Sequence, residues 1–119
     1  MLSQIWSNDE GSTWGEMTAL SLPNPNSGTD AVTLADGRQL LVYNHATLEG
    51  KQPNGRNILN LAISENGEDW TPVMTLENMP IRDGYAYPSI IQASDGLVDL
   101  TYAYNRRSVK YAVIDPAKL

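Results

Sequence analysis

The chain has no cysteine, no phenylalanine and a single histidine among 119 residues. Without cysteine there are no disulfides and no thiol chemistry, and metal sites built on thiolates are excluded. Positive charge is scarce: 8 Lys and Arg stand against 14 Asp and Glu, for a net charge of −6. No basic stripe is available to neutralise phosphates, so nucleic acid is not an expected partner. No apolar run approaches the about 18 residues that a membrane-spanning helix needs. Met1-Leu2-Ser3-Gln4-Ile5-Trp6 lacks the charged start and apolar core of a signal peptide, so the sequence as it stands is expected to be cytoplasmic. No cluster of His and carboxylates has ligand spacing, so neither a metal nor a cofactor is expected.

What is present favours sheets. Six Tyr, three Trp and many β-branched residues supply the bulk, while nine Gly and seven Pro punctuate the chain. Leu2–Trp6 reads as a strand, with Trp14–Leu22 as its hairpin partner, stopped by Pro23. Residues 29–34 form a strand, Asp36-Gly37 turns it, and 39–45 return. A polar loop over 46–57 centres on Gln52-Pro53-Asn54-Gly55. Ile58–Ser64 alternates cleanly, and Thr71–Glu77 follows as an outer strand. The pattern then repeats. Tyr87–Gly96 lies over Gly28–Gly37, so that Asp95-Gly96 matches Asp36-Gly37 and Ile91 matches Val32. Strands over 97–104 and 109–114 complete the unit, with a tight turn at 105–108. The expected units are a hairpin over 1–22, a complete four-stranded unit over 23–80, and three strands over 81–119. Composition alone also permits a sandwich of the same strands.

The organising stretch is Ser7-Asn8-Asp9-Glu10-Gly11-Ser12-Thr13-Trp14. Asp9 and Ser7 can hold loop amides, Gly11 can take a positive φ, and Trp14 offers an apolar plug to bury beneath the corner. Ser64-Glu65-Asn66-Gly67-Glu68-Asp69-Trp70 repeats it one residue shorter, with Asn66 in the Asp position. The two corners lie about one propeller blade apart, a four-stranded blade taking roughly 40–50 residues.

Ser-x-Asp-x-Gly-x-Thr-Trp is the pattern of the Asp box, the bacterial neuraminidase repeat. With the repeat unit, the chain resembles the C-terminal part of a six-bladed sialidase-like β-propeller. It is similar in particular to the bacterial predicted neuraminidases, over Pro25–Val32, Asp36–His45, Arg56–Trp70 and Tyr85–Pro116. The resemblance implies an all-β fold of about two and a quarter blades. With so few blades, either the chain is a piece of a longer propeller or it self-assembles as a homo-oligomer. Isolated blades expose apolar faces, and the N-terminal hairpin can donate a strand to the incomplete last blade of another copy. About three copies would then close the ring.

Sialidases of this fold grip a substrate carboxylate with arginines, attack through a Tyr activated by a Glu, and use an Asp as acid/base. Planar guanidinium groups suit a carboxylate, and a neutral phenol avoids repulsion by an anionic sugar. On this resemblance Tyr87, Tyr85 and Asp30 are the catalytic candidates. Tyrosines lining a channel, and an Asp capping a loop, are the structural alternatives. Arg56 is the candidate for the carboxylate, or else a solvated loop charge. Asn26 and His45 join it as substrate-binding candidates, although a lone His at a strand end is often only a loop-side residue. The expected function is binding of acidic glycans, or action on them, at the channel. A non-catalytic propeller module, or a piece of a longer enzyme, is the alternative.

Overall fold

The computed structural model describes residues 1–47 and 55–119. Gln52-Pro53-Asn54, the middle of the expected polar loop, lies outside the described residues. Among the described residues nine strands appear in chain order: β1 (Ser3–Gln4), β2 (Thr18–Ala19), β3 (Asp30–Thr33), β4 (Gln39–Asn44), β5 (Ile58–Ser64), β6 (Thr71–Asn78), β7 (Tyr85–Gln92), β8 (Val98–Tyr104) and β9 (Ser108–Ile114). They form sheets of two, four and three strands, each an antiparallel meander in sequence order. A 3₁₀ turn, Pro116–Lys118, follows β9 and is capped by Asp115. This is an all-β fold of propeller blades.

The second sheet explains the run Leu40-Leu41-Val42-Tyr43. Leu40 and Val42 face the third sheet and join a core with Leu59, Leu61, Leu100 and Tyr102. Leu41 and Tyr43 face the N-terminal hairpin, where they meet Leu22 and Ala62. Both faces of β4 are covered, so the strand reads as continuously apolar rather than alternating. Burying each such side chain stabilises the fold by about 1.5–3 kcal/mol. The third sheet is covered on one face only. Its other face shows Ile91, Val109, Tyr111 and Val113, at 56%, 73%, 60% and 49% exposure.

The internal repeat holds down to single hydrogen bonds. Asp36 Oδ1 accepts the Arg38 N–H at 3.0 Å, and Asp95 Oδ1 accepts the Leu97 N–H at 3.0 Å. The flanking residues also close alike, Leu34 with Arg38 and Ala93 with Leu97. One turn chemistry thus sets the register of both inner hairpins.

Both Asp-box corners fold as expected. Asp9 Oδ1 accepts the Thr13 N–H at 2.8 Å, and Asp9 Oδ2 accepts the Thr13 hydroxyl at 2.6 Å. Ser7 Oγ accepts the Gly11 N–H. The Thr13 hydroxyl and amide, then Ser7, hold the Asp9 carboxyl below its ordinary range. Asn66 performs the same task in the second corner, its Oδ1 accepting the Glu68 and Asp69 N–H groups at 2.9 and 2.8 Å. That corner joins β5 to β6, the third and fourth strands of its sheet. The tryptophans differ. Trp70 packs on the core beside Leu41 and Tyr43. Trp14, expected to be a buried plug, is 59% exposed. Its hairpin has two strands where the second sheet has four, so there is little sheet for the ring to cover. β1 and β2 are shorter than the expected Leu2–Trp6 and Trp14–Leu22, although Leu2 still bonds Leu20 and Leu22, and Trp6 bonds Gly15, across the hairpin.

Candidate functional site

The strand order brings one set of chain segments to a single end of the sheets. There β3, β5 and β7 begin, and β4, β6 and β8 end. Asn26, Asp30, His45, Arg56 and Tyr85 all belong to this rim. β3 and β7 lie against one another as the inner strands of successive blades.

The rim is knit by backbone and carboxamide bonds. Asn44, fully buried at the end of β4, accepts the Ser27 hydroxyl at 2.7 Å. Its Nδ2 donates to the carbonyls of Tyr85 at 3.1 Å and Ile58 at 3.3 Å. One amide therefore ties the loop before β3, the start of β5 and the start of β7. The Tyr85 N–H donates to the Arg56 carbonyl at 2.8 Å. Asn105 completes the girdle, donating its N–H to Gly84 O and accepting the Asp83 N–H, both at 2.9 Å. Sequence reasoning passed over Asn44. The available signal was an uncharged amide closing an apolar strand, where an uncovered strand end would leave carbonyls unpaired.

The candidates from sequence occupy different environments. Asp30 spends an oxygen inside the fold: its Oδ2 accepts the Ile90 N–H of the next blade at 2.9 Å. His45 Nδ1 pairs with the Tyr43 hydroxyl at 2.5 Å. Tyr43 is fully buried, and burial raises its phenol above the ordinary value, partly offset by Asn60. Arg56 is half-buried rather than a free surface charge, and its backbone is clamped between Tyr85 and Gly84. Asn26 is exposed in a left-handed loop conformation, φ 67°.

The two tyrosines diverge most. Tyr85 has no exposure. It packs edge-on against Tyr102 and Tyr104, with ring centroids 6.2 and 5.3 Å apart. Burial, then the charge of Glu77, pushes its phenol up to about 12. A phenol so placed is a core element and keeps its proton. Tyr87, two residues on, is 72% exposed and left-handed at φ 52°. The pairing of β7 with β8 shifts between Ala86 and Ser89, so Tyr87 stands in a bulge. The Tyr-Ala-Tyr spacing suggests one shared face, and the bulge separates the two rings.

Glu77, near the end of β6, is the second residue that the sequence did not single out. It accepts the Tyr102 hydroxyl at 2.7 Å and pairs with Lys110 Nζ on β9. Burial opposes its charge, but Lys110 and Tyr102 outweigh burial and hold the carboxyl below the ordinary glutamate range. This link ties the outer strand of one blade to the next, and the Glu77 charge also acts on Tyr85 of the inner strand β7. Among the described residues no group of three His, Cys, Asp or Glu can hold a metal ion.

Among the described residues the rim candidates offer the guanidinium of Arg56, the imidazole of His45 and the exposed phenol of Tyr87, and the exposed Arg106 and Arg107 follow Asn105 at the same end. Searches among curated proteins and among solved structures return no match. The family model of the BNR repeat-like domain matches residues 1–100, and the chain, with its two Asp-box corners and meander blades, belongs to that family.

Proposed function

We propose that the chain is a sialidase-like propeller module that binds acidic glycans at the inner-strand rim. The observation that carries this reading is Tyr87. A bulky residue held left-handed on an inner strand, with 72% of its surface open, is a strained and solvent-facing aromatic. Such strain persists where the surroundings impose it, and it gathers at binding sites and active sites. A flat phenol ring gives the apolar face of a sugar ring something to stack on, with a hydroxyl for its edge. The Tyr85 N–H to Arg56 O bond sets Arg56 beside the start of the same strand. A guanidinium there suits a sugar carboxylate in an otherwise acidic protein. His45 and Asn26 border the same end.

A second reading, hydrolysis, draws on the same residue, because an exposed phenol is also the nucleophile that a sialidase uses. Binding is favoured over it by Asp30, whose carboxylate already serves the Ile90 amide.

Calorimetric titration with sialyllactose and with lactose tests the proposal. The acidic sugar should bind and the neutral one should bind more weakly. Tyr87→Ala should weaken both, and Arg56→Ala should weaken chiefly the acidic one. Equal affinity for the two sugars, or no loss in either variant, refutes the reading. Steady turnover of a fluorogenic sialoside, abolished by Tyr87→Phe, replaces it with hydrolysis.

A further inference from the structure

Among the described residues, Arg56, Arg82, Arg106 and Arg107 stand at the rim end of the strands, before β5, before β7 and after β8. The opposite end, where the Asp-box corners turn, holds Asp36, Glu65, Glu68, Asp69 and Asp95. Arg38 and Lys118 are bases at that end, and Arg38 is paired with Asp36 at 2.8 Å. Charge is therefore polarised along the strands of a net acidic protein. An anionic ligand is turned away from the corners and drawn to the rim.

The loop and the turn that carry three of the rim arginines are stitched into one unit. Asn105 Oδ1 accepts the Asp83 N–H at 2.9 Å, and the Asn105 N–H donates to Gly84 O at 2.9 Å. Arg82 is thus held near Arg106 and Arg107, and all three are exposed. Asp83 is the acid of the unit, which stays positive. The turn itself breaks a local preference. The Arg107 N–H closes it on Tyr104 O at 3.1 Å, and both central residues are left-handed, Asn105 at φ 52° and Arg106 at φ 53°. Asparagine suits the first of these positions and glycine the second. An arginine in the second carries strain that glycine would remove, and such strain gathers at binding sites.

The start of β7 lies between this unit and Arg56. Gly84 O faces the turn, while the Tyr85 N–H faces Arg56 O. The two basic positions therefore flank the strand that carries Tyr87, about two strand spacings or roughly 10 Å apart. One carboxylate cannot meet both. Resting on the reading of the rim as an acidic-glycan site, we propose that the Asn105–Arg107 turn, with Arg82, is a second oxyanion subsite. The ligand is then an oligosaccharide with two negative groups, one for Arg56 and one for the turn. Guanidinium forks take any planar or tetrahedral oxyanion edge, so the second group is the carboxylate of another acidic sugar or a sulfate ester.

Calorimetric titration with lactose, sialyllactose, disialyllactose and a sulfated sialyllactose tests this. A doubly charged sugar should bind about tenfold more tightly than sialyllactose, the scale of one added charged hydrogen bond. The advantage should shrink as salt is raised. Gain with disialyllactose alone assigns a carboxylate to the turn, and gain with the sulfated sugar alone assigns a sulfate. Arg106→Gly should bind singly and doubly charged sugars alike, while its thermal unfolding midpoint rises as the turn is relieved. A variant that gains stability and keeps the full advantage overturns the proposal. If sialyllactose binds more tightly than lactose but neither doubly charged sugar improves on it, the second subsite falls and the acidic-glycan reading stands. If sialyllactose binds no better than lactose while a doubly charged sugar does, and Arg106→Gly abolishes that difference, the turn stands and the Arg56 site falls. Binding of none of the sugars overturns both.

Discussion

The carboxylate of Asp30 on β3 accepts the backbone N–H of Ile90 on β7 at 2.9 Å, stitching the inner strand of one blade to that of the next. Ile90 is buried, so the amide has no water to fall back on. Asp30→Ala should cost about 1–3 kcal/mol, the range for leaving a buried donor unpaired. Asp30→Asn keeps an acceptor oxygen and should cost less. Urea unfolding of the two variants measures the difference. Equal losses would mean that the charge, and not the acceptor, is what the joint uses.

Glu77 gives the outer part of the same joint a dependence on pH. Its carboxyl is held below the ordinary value in the folded protein, with Lys110 and Tyr102 overcoming burial. A group whose pKa is depressed by folding stabilises the fold above its unfolded pKa. That contribution is lost as pH falls through the folded value. Glu77→Ala should therefore destabilise the protein at neutral pH by about 1.5–3 kcal/mol, the scale of hydrogen bonds to a charged group. The deficit should shrink as pH falls below the ordinary glutamate value of 4.5. Paired unfolding curves across that range decide it, and a deficit independent of pH would assign Glu77 a packing role only.

The second corner departs from its motif for a local reason. Asn66 donates from Nδ2 to Asp69 Oδ2 at 2.7 Å, while its Oδ1 accepts the loop amides. An aspartate could accept but not donate, and it would face the Asp69 carboxylate. Asn66→Asp, which restores the consensus residue, should therefore destabilise the corner by about 1 kcal/mol at neutral pH. Acid should relieve the effect as one carboxylate protonates. A stabilising Asn66→Asp change in thermal unfolding would contradict this account.

The strands were legible because turn residues bracket them and because the two inner hairpins share one turn chemistry. Ile58–Ser64 came out with its observed limits, since both its alternation and the Asn-Gly corner after it are local. What depends on neighbouring sheets was not legible. Trp14 and Trp70 occupy the same motif position, yet only Trp70 has a full sheet to cover. Tyr85 and Tyr87 read as equivalent, and a bulge with one left-handed residue sends one inward and leaves the other exposed. Glu77 escaped notice because two register shifts between β5 and β6 obscure which way its side chain faces. Asn26, Asp30, His45, Arg56 and Tyr85 fall at one end because they flank strand ends, which is a property of the sequence. Their partners are a property of the packing.

Gly84 couples the rim to its stability. It sits at φ +66°, where a side chain is strained, and a Cβ there would lie 2.7 Å from both the carbonyl oxygen and the Cβ of Arg56. The backbone oxygen cannot step aside, because it accepts the Tyr85 N–H that starts β7. Gly84→Ala should then cost about 2–4 kcal/mol, combining the left-handed penalty with overpacking. Gly28 is the control: a Cβ there meets nothing within 4 Å. Gly28→Ala should stay within about 0.5 kcal/mol of the parent. If Arg56 grips the acidic part of a glycan, Gly84→Ala should also weaken sialyllactose in the fraction that remains folded, while Gly28→Ala leaves it unchanged. Urea unfolding and calorimetry on both variants separate the two effects. A Gly84→Ala protein as stable as its parent would show that the close approach of Arg56 to Gly84 is not a fixed feature of the rim.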